Sequence, residues 1–77
     1  MMTKKRFKLL DTVALLEDVP ERNLRRGEVG TIVETLDTDV FEVEFCDDEG
    51  RTYAMFALRA AQLIPLYNQG KPLATVT

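Results

Sequence analysis

One stretch of strict alternation constrains this sequence more than any other feature. Residues 40–46 place apolar and mostly acidic side chains at alternate positions: Phe41, Val43 and Phe45 against Glu42, Glu44 and Cys46. A period of two is typical of an antiparallel strand with one face on the core and the other in solvent. Residues 47–50 (DDEG) then have the composition of a tight hairpin turn, in which Gly50 supplies a positive φ. Residues 51–58 are therefore predicted to return as the paired strand.

Three more segments are predicted to be strands. Residues 11–16 contain β-branched Thr12 and Val13; a helix is the alternative there, since Leu9, Val13 and Leu16 also lie at helical spacing. Residues 28–36 are rich in strand formers, and residues 63–66 follow a short segment, 59–62, that suits one 3₁₀ turn. Five short strands, a long first loop over 17–27 and tight later hairpins predict an all-β, SH3-like barrel. An oligonucleotide-binding barrel would need a helix between strands three and four, for which there is no room.

The length of 77 residues allows one small domain, predicted to span residues 9–66. A flexible basic N-terminus (1–8) and a mobile C-terminal tail (67–77) flank it. With one cysteine and no histidine, neither an internal disulfide nor a structural zinc site is expected, and no cofactor is predicted. Burial against a partner remains the route to extra stability, so a homo-oligomer is possible. No stretch resembles a signal peptide or a membrane span, which predicts a cytoplasmic protein without a membrane partner.

Two glycines in the segment 24–34 (LRRGEVGTIVE) are interpreted as backbone requirements of the fold. Gly27 is expected to adopt a positive φ at the end of the first loop. Gly30 is expected to permit a bulge or a close backbone approach within the second strand. Leu24 is expected to anchor the loop to the core.

Three groups of residues are candidate contact sites. Glu42 and Glu44 form a docking patch for a basic protein or, alternatively, a solvated outer face that discourages edge pairing. The second group is the basic residues of the first loop, which are expected either to contact phosphates or a partner carboxylate, or to pair locally with nearby acids. The basic residues are Arg22, Arg25 and Arg26, and the nearby acids are Glu17, Asp18, Glu21 and Glu28. Tyr53, Met55 and Phe56 cannot all face inward on one strand. Some are therefore expected to be exposed, as a small apolar surface around Tyr53 and Met55.

Catalysis is not expected from this chain. It has no histidine, no glycine-rich phosphate loop and no nucleophile with a base at a recognisable spacing. The net charge of −3 also argues against nucleic acid as the main ligand.

Five runs of the sequence resemble a family of small bacterial proteins, common in cyanobacteria, known as the domain of unknown function DUF4926. They are 10–20 (LDTVALLEDVP), 24–34, 41–45 (FEVEF), 50–54 (GRTYA) and 62–66 (QLIPL). The resemblance implies an SH3-like barrel. It also implies an antitoxin or immunity role, because genes of the family often lie beside a gene suspected of encoding a toxin. Residues 27–33 are in addition similar to the KOW motif of ribosomal and elongation proteins, although KOW partners of RNA are usually basic and this chain is acidic.

These observations favour a non-enzymatic protein-binding module whose cognate partner is a toxin encoded by an adjacent gene. Two alternatives remain. One is a KOW-like nucleic-acid-binding protein acting through Arg22, Arg25, Arg26 and the basic N-terminus. The other is an accessory subunit of a larger enzyme complex, resembling the SH3-like parts of nitrile hydratase or photosynthetic complexes.

Overall fold

Strands account for just over half of the residues that the computed structural model describes, 7–68 and 71–72. Two single-turn 3₁₀ helices interrupt the connections between them, Pro20–Arg22 and Ala60–Gln62. The strands are β1 Thr12–Leu15, β2 Val29–Asp37, β3 Val40–Cys46, β4 Thr52–Arg59, β5 Leu63–Asn68 and β6 Lys71–Pro72.

All six strands belong to one antiparallel sheet, in the order β4-β3-β2-β1-β5-β6. The prediction of a small all-β domain with five main strands, a long first loop and one 3₁₀ turn before the fifth strand is confirmed. The helical alternative for the first segment is wrong: β1 places Val13 and Leu15 on the buried face with a period of two. The fifth strand runs two residues beyond the expected end at Leu66, because β6 pairs with its last two residues.

The sheet is bent around a single core. Leu58 of β4 and Leu63 of β5 pack in the same buried cluster, although three strands separate β4 from β5 in the sheet. A flat sheet could not bring them together. Register shifts in β2, between Ile32 and Glu34 and between Thr35 and Asp37, supply the local bending that bulges produce. The barrel stays open, because in the described chain no ladder joins β4 to β5 or β6.

The first loop, between β1 and β2, is an ordered excursion held by two buried side chains. Val19 and Leu24 form an isolated antiparallel bridge, and both lie in the core. Between them the Pro20–Arg22 turn ends at Asn23, whose left-handed φ of 56° lets the chain reverse. Leu24 therefore anchors the loop as predicted, whereas the contribution of Val19 was not anticipated.

The glycine assignments are confirmed. Gly27 and Gly50 have φ values of +92° and +81°. A Cβ at Gly30 would lie 2.7 Å from Cγ1 of Val43 and 2.9 Å from the backbone oxygen of Glu44. Of the two roles considered for Gly30, close approach of the neighbouring strand is therefore the one observed; the register shifts of β2 lie further along the strand.

The two expected flexible termini lie largely outside the described residues, which omit 1–6, 69–70 and 73–77. Within the predicted N-terminal arm, the ring of Phe7 packs 5.2 Å from that of Phe41, and the N–H of Lys8 donates to Asp11. In the described part of the chain, no helix has the length and apolar character needed to cross a membrane.

Candidate functional site

The strand register places three carboxylates on the outer face of the sheet. Directly opposed residues of antiparallel strands project to the same side. Glu44 lies opposite Thr31 on β2 and Met55 on β4, and Glu42 lies opposite Glu34 and Ala57. Since Phe41, Val43 and Phe45 alternate with these glutamates and are buried, the carboxylates project away from the core. We call Glu34, Glu42 and Glu44 the acidic face.

No cation neutralises the acidic face within the described chain. Glu34 and Glu42 are paired across β2 and β3 at the register shift that follows Ile32, and like charges at paired positions destabilise a sheet. The ion pairs of the described residues involve Arg51 alone, with Asp47 and Glu49 of the adjacent turn. Glu44 does accept a hydrogen bond from the hydroxyl of Thr52, which is neutral. The three carboxylates therefore present uncompensated negative charge, with Met55 and Ala57 beside them.

Tyr53 and Met55 are exposed as predicted, but the strand register separates their side chains instead of joining them in one apolar surface. Each side chain is about half exposed, 52% and 47%. A register shift between Phe45 and Cys46 leaves Tyr53 without a partner on β3 and turns it toward the inward-facing Phe45, with ring centroids 6.3 Å apart. Met55 instead lies across from Glu44 on the acidic face.

Tyr53 and Glu28 connect β4 to the end of the first loop. The Tyr53 hydroxyl donates to Oε1 of Glu28 at 2.7 Å, and Oε2 of the same carboxylate accepts the N–H of Arg25 at 2.6 Å. The hydrogen bond to Glu28, followed by partial burial, raises the pKa of Tyr53 to about 12. The pairing stabilises the neutral phenol and restrains both elements, so Tyr53 has a structural partner inside the domain.

The three loop arginines do not pair with the nearby acids as one interpretation expected. Arg22 lies over the ring of Phe56, 4.3 Å from its centroid, in a cation–π contact. The acids bind backbone N–H groups instead: Asp18 accepts from Arg26, and Glu28 from Arg25. Among the described residues, the guanidinium groups of Arg25 and Arg26 form no ion pair.

The acidic turn at residues 47–50 has a structural role. Asp47 accepts the N–H groups of Glu49 and Arg51 and an ion pair from the Arg51 side chain. The backbone hydrogen bond from Arg51, the largest of these effects, lowers the pKa of Asp47. No group of three or more His, Cys, Asp or Glu side chains in the described chain is arranged to hold a metal ion.

A second exposed feature was missed in the sequence. Val29, Ala14 and Ile64 are directly opposed across β2, β1 and β5, on the outer face, and form an aliphatic row. Val29 and Ile64 are exposed, whereas Ala14 between them is buried. The signal was present: residues 13–16 (VALL) are continuously apolar, which indicates a strand with apolar side chains on both faces.

Comparison with known proteins identifies a family without describing an activity. No curated protein and no solved structure matches the chain. The family model of the domain of unknown function DUF4926 matches residues 9–65, which form nearly all of the sheet described above. The chain is therefore a member of the DUF4926 family.

Proposed function

We propose that this protein is a non-enzymatic protein-binding module that docks a basic partner on the acidic face. The carrying observation is that Glu34 and Glu42 are paired across β2 and β3, with Glu44 adjacent and no ion pair to any of them in the described chain. Like charges opposed across strands lower the stability of a sheet by roughly 0.2–1 kcal/mol. A cationic partner would be attracted to both carboxylates and would remove this repulsion.

The specific form of the proposal is an antitoxin or immunity protein that neutralises the product of an adjacent gene. Two points support it. Genes of this family are expected to lie beside genes for suspected toxins. Neutralising a toxin requires tight binding but no catalytic group. The net charge of −3 suits a basic partner, because long-range attraction raises the association rate.

Co-expression with the adjacent gene product tests this form of the proposal. We expect the two proteins to purify as a complex and the growth of the host cells to be protected. Absence of both complex and protection would remove the antitoxin role.

A charge variant tests the surface. Replacing Glu42 and Glu44 by glutamine is expected to weaken the complex at least about tenfold, which corresponds to about 1.4 kcal/mol. The matched control, Glu21→Gln with Asp48→Asn, makes the same change in net charge at exposed positions away from the acidic face. Equal affinity of the two double variants would show that the acidic face is not the docking surface.

Nucleic-acid binding is the second candidate, favoured by the loop arginines. Arg25 and Arg26 form no ion pair in the described chain, so their charges are free for phosphate contacts. This function predicts affinity for RNA or DNA that falls steeply with salt and is lost in Arg25→Ala/Arg26→Ala. A flat titration against both nucleic acids at low salt would eliminate it.

A further inference from the structure

We propose that the partner binds by adding one extended, basic strand to the outer edge of β4. This inference rests on the proposed function and assigns its mode of binding. β4 is the terminal strand of the sheet, and in the described chain it pairs with β3 alone. Alternate N–H and C=O groups of such a strand point outward, and an incoming strand can pair with them.

β4 carries few of the devices that normally block an edge. Proteins protect edge strands with proline, lysine, short length, bulges or a covering loop. The first loop does contact β4, but through the hydroxyl of Tyr53 and the ring of Phe56; in the described chain no backbone hydrogen bond joins the loop to this strand. β4 has 8 residues (TYAMFALR), without proline or lysine, and its one charge is the terminal Arg59. The register shift that isolates Tyr53 affects its first residues only and leaves 54–59 regularly paired. The opposite edge is different, because β6 has 2 residues and includes Pro72.

The acidic face determines the chemistry of the added strand. Neighbouring strands are about 4.8 Å apart, so an added strand would lie about 10 Å from β3. Its outward side chains would stand beside Met55 and Ala57, which face Glu44 and Glu42 across the β3–β4 ladder. Lysine and arginine are long enough to bring their charges to these carboxylates, with their methylene groups covering Met55. The fitting ligand is therefore a strand with cations at alternate positions.

A second copy of this chain fits the edge poorly. Pairing β4 with its own copy would place two acidic faces side by side and extend the uncompensated charge. A basic segment removes that repulsion, so charge complementarity selects a different polypeptide over self-association.

Synthetic peptides separate strand addition from simple charge attraction. The probe is a peptide of alternating lysine and valine; the controls are alternating lysine and glycine, alternating glutamate and valine, and the lysine–valine peptide with N-methylated amides. Calorimetry at low salt should detect the probe. The glycine peptide should bind at least about tenfold more weakly. The glutamate and N-methylated peptides should not bind, because one is repelled and the other cannot donate hydrogen bonds.

Amide hydrogen exchange provides an independent readout of the binding mode. On addition of the lysine–valine peptide, alternate amides of β4 should become protected, since half of them point toward the added strand. Glu42→Gln/Glu44→Gln should weaken the probe at least about tenfold relative to Glu21→Gln/Asp48→Asn.

Several outcomes would overturn the inference. Equal binding of the N-methylated peptide, or no protection of β4, would exclude strand addition while leaving a charge-based docking face intact. No binding of the lysine–valine peptide would also exclude it, whereas the proposed function would survive if the natural partner still required Glu42 and Glu44. A stable dimer that the peptide dissociates would assign the edge to a second copy. The edge of β4 would instead belong to the chain's own N-terminal segment if the probe bound more tightly to the triple variant Lys4→Gln/Lys5→Gln/Arg6→Gln. The equally charged control, Arg22→Gln/Arg25→Gln/Arg26→Gln, would show no such gain.

Discussion

Gly30 stands where β3 approaches β2 so closely that a side chain has no space. An added Cβ would meet a side-chain carbon of Val43 at 2.7 Å and a backbone oxygen at 2.9 Å. Val43 is fully buried, and the oxygen belongs to the backbone of β3 at Glu44. Neither can move without disturbing the β2–β3 ladder.

Substitution of Gly30 tests this constraint. Gly30→Ala is expected to lower the free energy of unfolding by about 1–3 kcal/mol, and Gly30→Val by more, because overpacking forces β2 and β3 apart. A domain of this size loses about 4–8 °C in Tm for each kcal/mol. Arg25→Ala/Arg26→Ala is the control and should leave the thermal midpoint almost unchanged, since both residues donate only their backbone N–H groups in the hydrogen bonds observed. If Gly30→Val folds normally but no longer binds its partner, the structural role of Gly30 is wrong.

Tyr53 gives a prediction at high pH. Its pKa in the folded chain is raised from 10.0 to about 12 because the phenol donates to Glu28. The neutral form is thus the one the fold favours. Its stabilising contribution is complete below pH 10 and is lost as the pH rises through about 12.

Absorbance titration of tyrosinate measures this effect. Tyr67→Phe leaves Tyr53 as the only phenol, which should ionise about two pH units above a model tyrosine. Adding Glu28→Ala should lower that pKa toward 10, because it removes the hydrogen-bond acceptor of the phenol and the negative charge beside it. Chemical denaturation should show a smaller loss of stability between pH 10 and 12 in Tyr53→Phe than in the parent protein. An unshifted Tyr53 would mean that the contact with Glu28 does not persist in solution.

Among the elements, the first loop depends most on tertiary contacts. Its sequence contains Pro20, Asn23 and several charges, which indicate an irregular loop. The structure closes it with the Val19–Leu24 bridge, the Glu28–Tyr53 hydrogen bond and the Arg22–Phe56 contact. The last two contacts join the loop to β4, which lies 25 or more residues away in sequence.

Leu24→Ala tests how far the loop contributes to the core. The side chain is buried, so its truncation should cost about 2–5 kcal/mol through lost transfer energy and a cavity. Leu36→Ala makes the same chemical change at an exposed position of β2 and should stay within about 0.5 kcal/mol. Urea denaturation of both variants provides the comparison. Equal stabilities would show that Leu24 is not part of the core in solution.

At the scale of the whole molecule, charge is distributed at a cost to the isolated domain. Two carboxylates are opposed on the outer face of the sheet. Arg22 contacts an aromatic ring, and Arg25 and Arg26 form no ion pair in the described chain. The opposed carboxylates lower the stability of the free domain, and this repulsion is the reason for the binding role proposed above.

Glu42→Gln should therefore stabilise the free protein. Relief of the repulsion by Glu34 is expected to add about 0.2–1 kcal/mol at low salt. The gain should shrink with added salt, because the screening length falls from about 30 Å at 0.01 M to about 3 Å at 1 M. Glu21→Gln, outside the acidic face, should show little gain at any salt concentration. Destabilisation by Glu42→Gln would show that the carboxylate is used within the fold.

Much of the architecture could be predicted from the sequence, because it depends on local signals. Alternation defined β3 with its observed ends, Val40 and Cys46, and the composition of residues 47–50 predicted the hairpin to β4. The same alternation placed Glu42 and Glu44 on the outer face. Their isolation from cations could not be predicted, because it depends on where distant arginines point.

What the sequence determined by itself was the all-β class, the order of loops and strands and the backbone roles of its glycines, since φ preference and period-two burial act over a few residues. Tertiary structure alone decided three other features: the separation of Tyr53 from Met55, the aliphatic row across β2, β1 and β5, and the open edge of β4. Each depends on register and bulges between strands distant in sequence. The packing of the common core selects that register, and no short stretch of residues encodes it.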